Sequence, residues 1–155
     1  MPPNALRLSS FVDTSRVHLD LSGNTKAEVL RELVATLGLE PQDEAAILRT
    51  LLHRESLGST GIGRGIAVPH CRTPIAKRLQ VVYGRRPGGI PYDAIDGEPV
   101  THIFLLIAPP VEISNEYLPV LGRIAQLAKE PDTPARLAAA KIPEDFLYLL
   151  AEMSV

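Results

Sequence analysis

The sequence predicts a single α/β domain, in which a sheet of about four to six strands carries helices on both faces. Two observations lead to this fold class. Amphipathic helical patterns come before and after a group of strand-like runs in the middle of the chain. Residues 101–108 are almost continuously apolar, as a strand buried on both faces requires. A chain of 155 residues suits one such domain, and no internal repeat or linker divides it.

The N-terminal part is typical of a strand followed by two helices. Residues 17–21 alternate between apolar and polar types, which favours a strand. A capping-box pattern at residues 25–28 begins an amphipathic helix that Gly38 ends. The second helix is expected over residues 41–54. Its core-facing residues are expected to be Ala45, Leu48, Leu51 and Leu52.

The C-terminal part combines two strands with three helices. A strand is expected at residues 79–83, and residues 87–89 are expected to break the chain after it. A turn-rich connection then leads to the buried strand at 101–108. Ser114 is a good N-cap for a helix with Tyr117 in its first turn. Two further helices are expected, beginning near Pro134 and Pro143.

The most distinctive stretch is R-E-S-L-G-S-T-G-I-G-R-G-I-A-V-P-H-C at residues 54–71. Its alternating glycines let backbone amides approach an anion, and Pro69 ends the apolar run that follows, holding His70 at its tip. A neutral imidazole beside amide donors, with Arg54 nearby, has the parts needed to accept a phosphoryl group. The glycines are Gly61, Gly63 and Gly65. Spacing alone gives equal weight to a structural alternative, in which the glycines only turn the chain and His70 caps a strand.

Several classes of function are disfavoured by motif and composition. The glycine stretch lacks the P-loop and dinucleotide patterns, which argues against bound ATP or NAD. A net charge of -2 and a pI near 6.1 provide no general attraction to nucleic acid or anionic membranes. Cys71 has no partner for a disulfide, and the longest apolar run is too short to span a bilayer. With no signal-peptide pattern at its N-terminus, the protein is expected in the cytoplasm.

The motif from Arg54 to His70 closely resembles the signature of the fructose/mannitol-type enzyme IIA domains of the bacterial phosphotransferase system, particularly the nitrogen-regulatory branch. The resemblance continues in A-I-D-G-E-P-V at residues 94–100. It implies a mixed sheet of about five strands flanked by helices on both faces. It also implies that a small phosphocarrier protein of the HPr or NPr type phosphorylates the histidine, a role that carries over to His70. The motif positions around this histidine are matched by Arg54, Glu55, Ser59 and Thr60.

The chain departs from the family pattern at one position. The family usually has a second histidine in a later helix, and Tyr117 occupies that place here. A tyrosine hydroxyl can donate a hydrogen bond to a phosphoryl oxygen, but it carries no positive charge at neutral pH.

The mechanism expected from the motif is reversible phosphoryl transfer. A backbone carbonyl would hold the Nδ1 proton of His70, and Nε2 would be the nucleophile. The hydroxyls of Ser59 and Thr60, the Arg54 side chain and the amides of residues 61–65 would bind the phosphoryl oxygens. This account requires no metal and no cofactor.

Three functions remain open from the sequence. The nitrogen-regulatory resemblance implies control of target proteins according to phosphorylation state. A sugar-specific protein would instead pass the phosphoryl group to a IIB domain. A third possibility is an unphosphorylated docking module that uses the basic rim around the motif. We define the basic rim as Arg64, Arg72, Lys77, Arg78, Arg85 and Arg86.

Overall fold

The structure, a computed structural model, describes residues 7–111 and 115–153, which form a six-stranded mixed sheet with helices on both faces. This confirms the predicted fold class. The strands are β1 (Val17–His18), β2 (Gly61–Gly63), β3 (Ile66–Ala67), β4 (His70–Arg72), β5 (Gln80–Ile90) and β6 (Val100–Ala108). The helices are α1 (Lys26–Ala35), α2 (Pro41–Leu57), α3 (Tyr117–Lys129), α4 (Thr133–Ala139) and α5 (Pro143–Glu152).

Strand β6 is the centre of the sheet. It pairs antiparallel with β5 on one side, and on its other side it pairs in parallel with β3 and then with β4. Strand β1 extends the sheet beyond β5, and β2 extends it beyond β3. The apolar run of β6 is buried over almost its whole length, because neighbouring strands and both helical layers cover it.

The side chains of the sheet alternate between two hydrophobic cores, one on each face. The first core packs beneath α3, α4 and α5 and includes Val68, Phe104 and Leu106. The second packs beneath α1 and α2 and includes Cys71 and Ile107. Successive residues of a strand point to opposite faces, so β3, β5 and β6 each contribute side chains to both cores.

Two segments extend the sheet further than the sequence patterns predict. The glycine stretch forms a β2–β3 hairpin whose turn contains Gly63 and Gly65, both at positive φ. Strand β5 continues through residues 87–89, where a break was expected, because a register shift between Arg85 and Ile90 absorbs the extra residues. A bulge of this kind bends a strand without ending it.

Helix α2 differs from its prediction in length and in orientation. It ends at Leu57, one turn beyond Arg54, and its buried residues are Ile47, Leu51 and Glu55. These lie four residues apart and share one helical face. Ala45, which was predicted to face the core, is exposed. The prediction was wrong for Ala45, whereas Leu51 is buried and Leu48 and Leu52 pack against the core partly buried. Because the helix was expected to end at Arg54, the buried Glu55 was not counted on its core-facing side.

Helix α3 begins at Tyr117, with Glu116 as its N-cap residue. The predicted N-cap, Ser114, lies outside the described residues. None of the helices formed by the described residues combines the length and the apolar character needed to cross a membrane.

Candidate functional site

His70 is the first residue of β4, where it pairs with Leu106 of β6. Its Nδ1 atom lies 2.7 Å from the Val68 carbonyl oxygen. A carbonyl can only accept, so Nδ1 carries the proton and donates it. The ring is half-buried, and within residues 7–111 and 115–153 no group hydrogen-bonds Nε2. Nε2 therefore keeps its lone pair, which is the state that a nucleophile needs.

Tyr117 covers His70 from the start of α3. The two ring centroids are 5.5 Å apart with an angle of 56° between the ring planes. The guanidinium carbon of Arg72 lies 4.6 Å from the Tyr117 ring centroid. A cation at this distance over an aromatic face is attracted by the ring quadrupole. Strand β4 and helix α3 thus place an imidazole, a phenol and a guanidinium side by side.

The Tyr117 hydroxyl is a neutral hydrogen-bond donor. Burial raises the pKa of Tyr117, and the positive charges of Arg72 and Arg54 oppose this rise. Both arginines are close enough to act on the same phenol. The structure therefore brings two cations from different parts of the chain to the vicinity of Tyr117.

Arg54 lies near the C-terminal end of α2, with its side chain partly exposed. Its Nη1 atom donates to the Gly58 carbonyl at 2.7 Å. This bond satisfies a backbone carbonyl at the end of the helix and fixes the side chain against the turn that follows. A guanidinium retains further donors after one such bond.

Glu55, the next residue of α2, points into the protein instead of to solvent. Its Oε1 atom accepts from Lys26 Nζ at 3.2 Å and from the Thr60 amide at 3.1 Å, and its Oε2 atom accepts from the Thr60 hydroxyl. The Tyr92 hydroxyl lies 3.3 Å from the Thr60 hydroxyl oxygen. Glu55 is buried, and both of its carboxylate oxygens find hydrogen-bond partners within this cluster of side chains. The network therefore fixes the turn after α2.

The hydroxyls of Ser59 and Thr60 are already engaged within the protein. Ser59 donates to the Tyr92 carbonyl at 2.8 Å and accepts from the Gly61 amide at 3.0 Å. Thr60 is buried and its hydroxyl donates to Glu55. These bonds give both side chains a structural role, holding the segment that runs beside β3 and β4.

The backbone of this segment comes close to His70. The Val68 amide donates to the Thr60 carbonyl at 3.0 Å. Because β2 runs antiparallel to β3, the residues that precede Thr60 continue alongside the chain toward Pro69 and His70.

The glycines themselves lie further along the hairpin. Thr101 and His102 donate their amides to the Gly65 carbonyl, whereas His70 pairs with Leu106. Four residues along a strand correspond to about 13 Å. The Gly61 amide is bound by Ser59, and the Arg64 amide donates to Asp96 at 2.9 Å. The structure thus engages the Gly61 and Arg64 amides within the protein and places the Gly65 end of the hairpin away from His70.

The members of the basic rim are divided among different parts of the surface. Arg64 donates to carbonyls at the end of α3, Arg85 to carbonyls at the end of α4, and Arg86 to the Gly23 carbonyl. These side chains stabilise helix ends and loops. Arg72 is the member of the rim that lies next to His70. Lys77 and Arg78 are exposed, and neither has a hydrogen bond or ion pair with the described residues.

Two groups that matter for the site were missed as site residues from the sequence. Arg72 was assigned only to the basic rim, although its position two residues after His70 on a strand places both side chains on one face. Lys26 was missed because no local pattern connects it with Glu55, which is 29 positions away. Within the described part of the chain, no cluster of three or more His, Cys, Asp or Glu side chains has the arrangement of a metal site.

The chain is similar in sequence to known proteins over most of its length. Residues 10–153 match the profile of the family described as phosphoenolpyruvate-dependent sugar phosphotransferase system, EIIA 2. A nitrogen regulatory protein of Bradyrhizobium diazoefficiens is 35% identical over 132 residues, covering 84% of this chain and 86% of the relative. A fructose-specific EIIABC component of Bacillus subtilis is 29% identical over 147 residues, covering 94% of this chain but 23% of that protein.

The fold agrees with that of a solved relative. The nitrogen regulatory protein IIA-Ntr of Neisseria meningitidis superimposes with a TM-score of 0.82 at 29% identity, covering 92% of this chain and 98% of that one. Sequence similarity over 10–153 and the agreement of the folds lead to the same assignment. The chain belongs to the EIIA type 2 family of the phosphoenolpyruvate-dependent sugar phosphotransferase system.

Proposed function

We propose that His70 accepts a phosphoryl group at Nε2 from a phosphorylated carrier protein of the HPr or NPr type. The observation that carries this proposal is the 2.7 Å contact between Nδ1 and the Val68 carbonyl. It fixes the tautomer and the ring orientation, so that the unprotonated nitrogen is the one without a partner among the described residues.

The transfer needs no net movement of a proton. The lone pair of His70 Nε2 attacks phosphorus while the P–N bond on the donor histidine breaks, and that bond's electron pair remains on the donor ring. A donor ring protonated at its other nitrogen leaves as neutral imidazole. The phosphorylated His70 ring carries a positive charge, which the Val68 carbonyl stabilises by accepting from Nδ1–H.

The surrounding residues serve binding and positioning in this scheme. Arg54 has donors left after its bond to Gly58 and supplies positive charge for the phosphoryl oxygens. Glu55, Ser59 and Thr60 hold the turn that runs beside His70. The glycines at 61, 63 and 65 act through the hairpin, which sets the position of that turn.

We assign the protein to the nitrogen-regulatory branch, with target proteins that bind according to the phosphorylation state of His70. Support comes from the relative named nitrogen regulatory protein, which aligns over most of the length of both chains. The proposed location is the cytoplasm, where a soluble carrier protein would meet this domain.

A sugar-specific role is the second candidate, because a fructose-specific component is similar to nearly the whole of this chain. In that role His70 would pass its phosphoryl group to a cysteine or histidine of a IIB domain. The two candidates share the first transfer step and differ in the acceptor that follows.

The test is phosphorylation in vitro with phosphoenolpyruvate, enzyme I and a carrier protein, followed by intact-mass measurement and site mapping at neutral pH. We expect an acid-labile phosphoryl group on wild type and on the control His18→Ala, whose histidine is exposed on β1. We expect none on His70→Ala. Label that persists in His70→Ala would contradict the assignment of the acceptor.

Addition of purified IIB domains to the labelled protein distinguishes the two candidates. Retention of the label in the presence of fructose- and mannitol-type IIB domains supports the regulatory branch, and rapid loss supports sugar transport. The same carriers are tested on a known IIA protein to establish that they are active. If that protein is phosphorylated and wild type is not, the result would support the docking module instead.

A further inference from the structure

We propose that Arg72 is a second cationic ligand of the phosphoryl group on His70 and that the ring of Tyr117 holds its guanidinium in place. This inference rests on the proposed function and extends it to a residue outside the phosphohistidine motif. It also supplies the positive charge that a neutral tyrosine at position 117 does not provide.

The first support is the geometry of β4. His70 and Arg72 are two residues apart on one strand, so their side chains leave the same face of the sheet. Cys71, between them, points to the opposite face and is buried in the core beneath α1 and α2. Both active-site side chains therefore lie on the face that α3 covers.

The second support is the restraint on the Arg72 side chain. Nη1 donates to the Pro109 carbonyl at 2.9 Å, and the guanidinium carbon lies 4.6 Å from the Tyr117 ring centroid. A guanidinium has five N–H donors, and among the described residues Pro109 is the one hydrogen-bond acceptor of this group. The remaining donors are available to an incoming ligand.

The third support is the Tyr117 ring, which contacts both side chains. Its centroid lies 4.6 Å from the guanidinium carbon of Arg72 and 5.5 Å from the imidazole centroid of His70. An arginine that already packs on an aromatic ring loses less side-chain entropy when it binds an anion than a freely moving arginine loses. Tyr117 is thus a positioning residue, which acts through its ring as well as through its hydroxyl.

The fourth support is charge. A phosphoryl group brings nearly two negative charges to a partly buried position. Arg54 and Arg72 both oppose the burial-driven rise in the pKa of Tyr117, which agrees with two guanidinium groups in the vicinity of the phenol. Arg54 comes from α2 and Arg72 from β4, so the two cations approach the phosphoryl position independently.

The experiment measures the equilibrium constant for phosphoryl exchange between the carrier and this protein. An equilibrium constant does not depend on how fast the carrier docks, so it reports the stability of phospho-His70 and excludes effects on docking rate. Both proteins are mixed with catalytic enzyme I and limiting phosphoenolpyruvate, and the phosphorylated fractions are read by intact mass at neutral pH.

We expect Arg72→Gln to lower this constant by about tenfold, the usual contribution of one charge-assisted hydrogen bond. Arg72→Lys should lower the constant less than Arg72→Gln, because it keeps the charge but loses the planar guanidinium that packs on Tyr117. Arg78→Gln is the matched control, since it removes an exposed arginine without a partner among the described residues, and it should leave the constant unchanged.

Variants of Tyr117 test the role of the ring. We expect Tyr117→Leu to lower the constant by about fivefold, because the cation–π contact is lost, and Tyr117→Phe to lower it less. Equal losses in both variants would assign the effect to the hydroxyl and overturn the role of the ring.

The two proposals fail in different ways. Wild type that takes no label on His70 overturns the proposed function. Normal labelling of His70 with an unchanged constant in Arg72→Gln overturns only the role of Arg72. Circular dichroism of each variant establishes that the fold is retained, and if Arg72→Gln does not fold, an unchanged constant in Arg72→Met decides against the proposal.

Discussion

The carboxylate of Glu55 binds both the amide and the hydroxyl of Thr60, at the point where the chain leaves α2 and turns toward the sheet. Lys26, from α1, adds a partly buried positive charge to the same carboxylate. The helical layer on one face is thereby connected to the segment that runs beside His70.

Replacement of Glu55 by glutamine should destabilise the fold by about 2 to 3 kcal/mol, because the ion pair is lost and an amide group faces the Thr60 amide. Urea denaturation gives the free energy of unfolding, and the exposed Glu98→Gln is the control. A loss below half a kcal/mol, within the range of ordinary surface changes, would show that the network is not what holds this turn.

Gly61 is packed too closely against Ala94 to accept a side chain. A Cβ atom at position 61 would lie 2.7 Å from the Ala94 Cβ and 2.8 Å from its Cα. Gly61→Ala should therefore lower the free energy of unfolding by about 1 to 3 kcal/mol. Thermal and urea unfolding measure the change.

Gly122→Ala is the matched control for this variant. Gly122 lies in α3 with nothing within 4 Å of an added Cβ, so alanine there should stabilise the protein by about 0.5 to 1 kcal/mol. Equal effects of the two substitutions would contradict the close approach of Gly61 and Ala94.

His102 makes the stability of the protein dependent on pH. Burial lowers its pKa to about 4, the charge of Arg85 lowers it too, and a hydrogen bond to the Pro134 carbonyl opposes them. Its Nδ1 atom lies 2.8 Å from the Tyr83 hydroxyl. In the unfolded chain the pKa of this histidine is near 6.5. Between pH 6.5 and pH 4 the unfolded chain therefore binds more protons at this residue than the folded chain does, so the free energy of unfolding decreases as the pH falls through this range.

From about pH 7.5 to about pH 5 the wild type should lose about 2 kcal/mol more than His102→Gln, in which this group no longer titrates. Urea unfolding curves at both pH values give the difference. His18→Gln removes an exposed histidine and should retain the dependence of the wild type. Parallel pH profiles for wild type and His102→Gln would refute the assignment.

Cys71 should be an unreactive thiol although it adjoins His70. Its side chain is buried on the opposite face of β4, and burial raises its pKa to about 12. At pH 8 its thiolate fraction should be about a thousandfold below that of an ordinary thiol. The rate of reaction with a disulfide reagent, in buffer and in urea, measures this difference. Similar rates under the two conditions would show that the thiol is accessible in the folded protein.

The interpretation of the sequence was most reliable where one residue's role depends on its immediate neighbours. The order Val68-Pro69-His70 places a carbonyl two residues before the imidazole, and the predicted backbone acceptor for Nδ1 is confirmed. The burial of β6 and the capping of α1 by Thr25 were also predictable, because both follow from local apolar pattern and local hydrogen bonding.

Predictions were less reliable where a residue's role depends on a distant partner. The hydroxyls of Ser59 and Thr60 were expected to face a phosphate, but Tyr92 and Glu55 bind them. The glycine turn was expected beside His70, but its pairing with the start of β6 carries it toward His102. Nothing in the spacing of the motif indicates which end of a sheet a hairpin will occupy.

The sequence by itself determined the fold class and the family and made His70 the candidate acceptor, because periodicity and a contiguous motif are local properties of the chain. The tertiary structure alone decided which basic side chain contacts Tyr117, the residue that covers His70. Arg72 and Tyr117 are neighbours because the first residue of α3 lies over the side chains of β4, while Arg85 and Arg86 are carried to helix and loop ends elsewhere. Packing between elements distant in sequence selects these contacts, so one stretch of basic residues ends in several different environments.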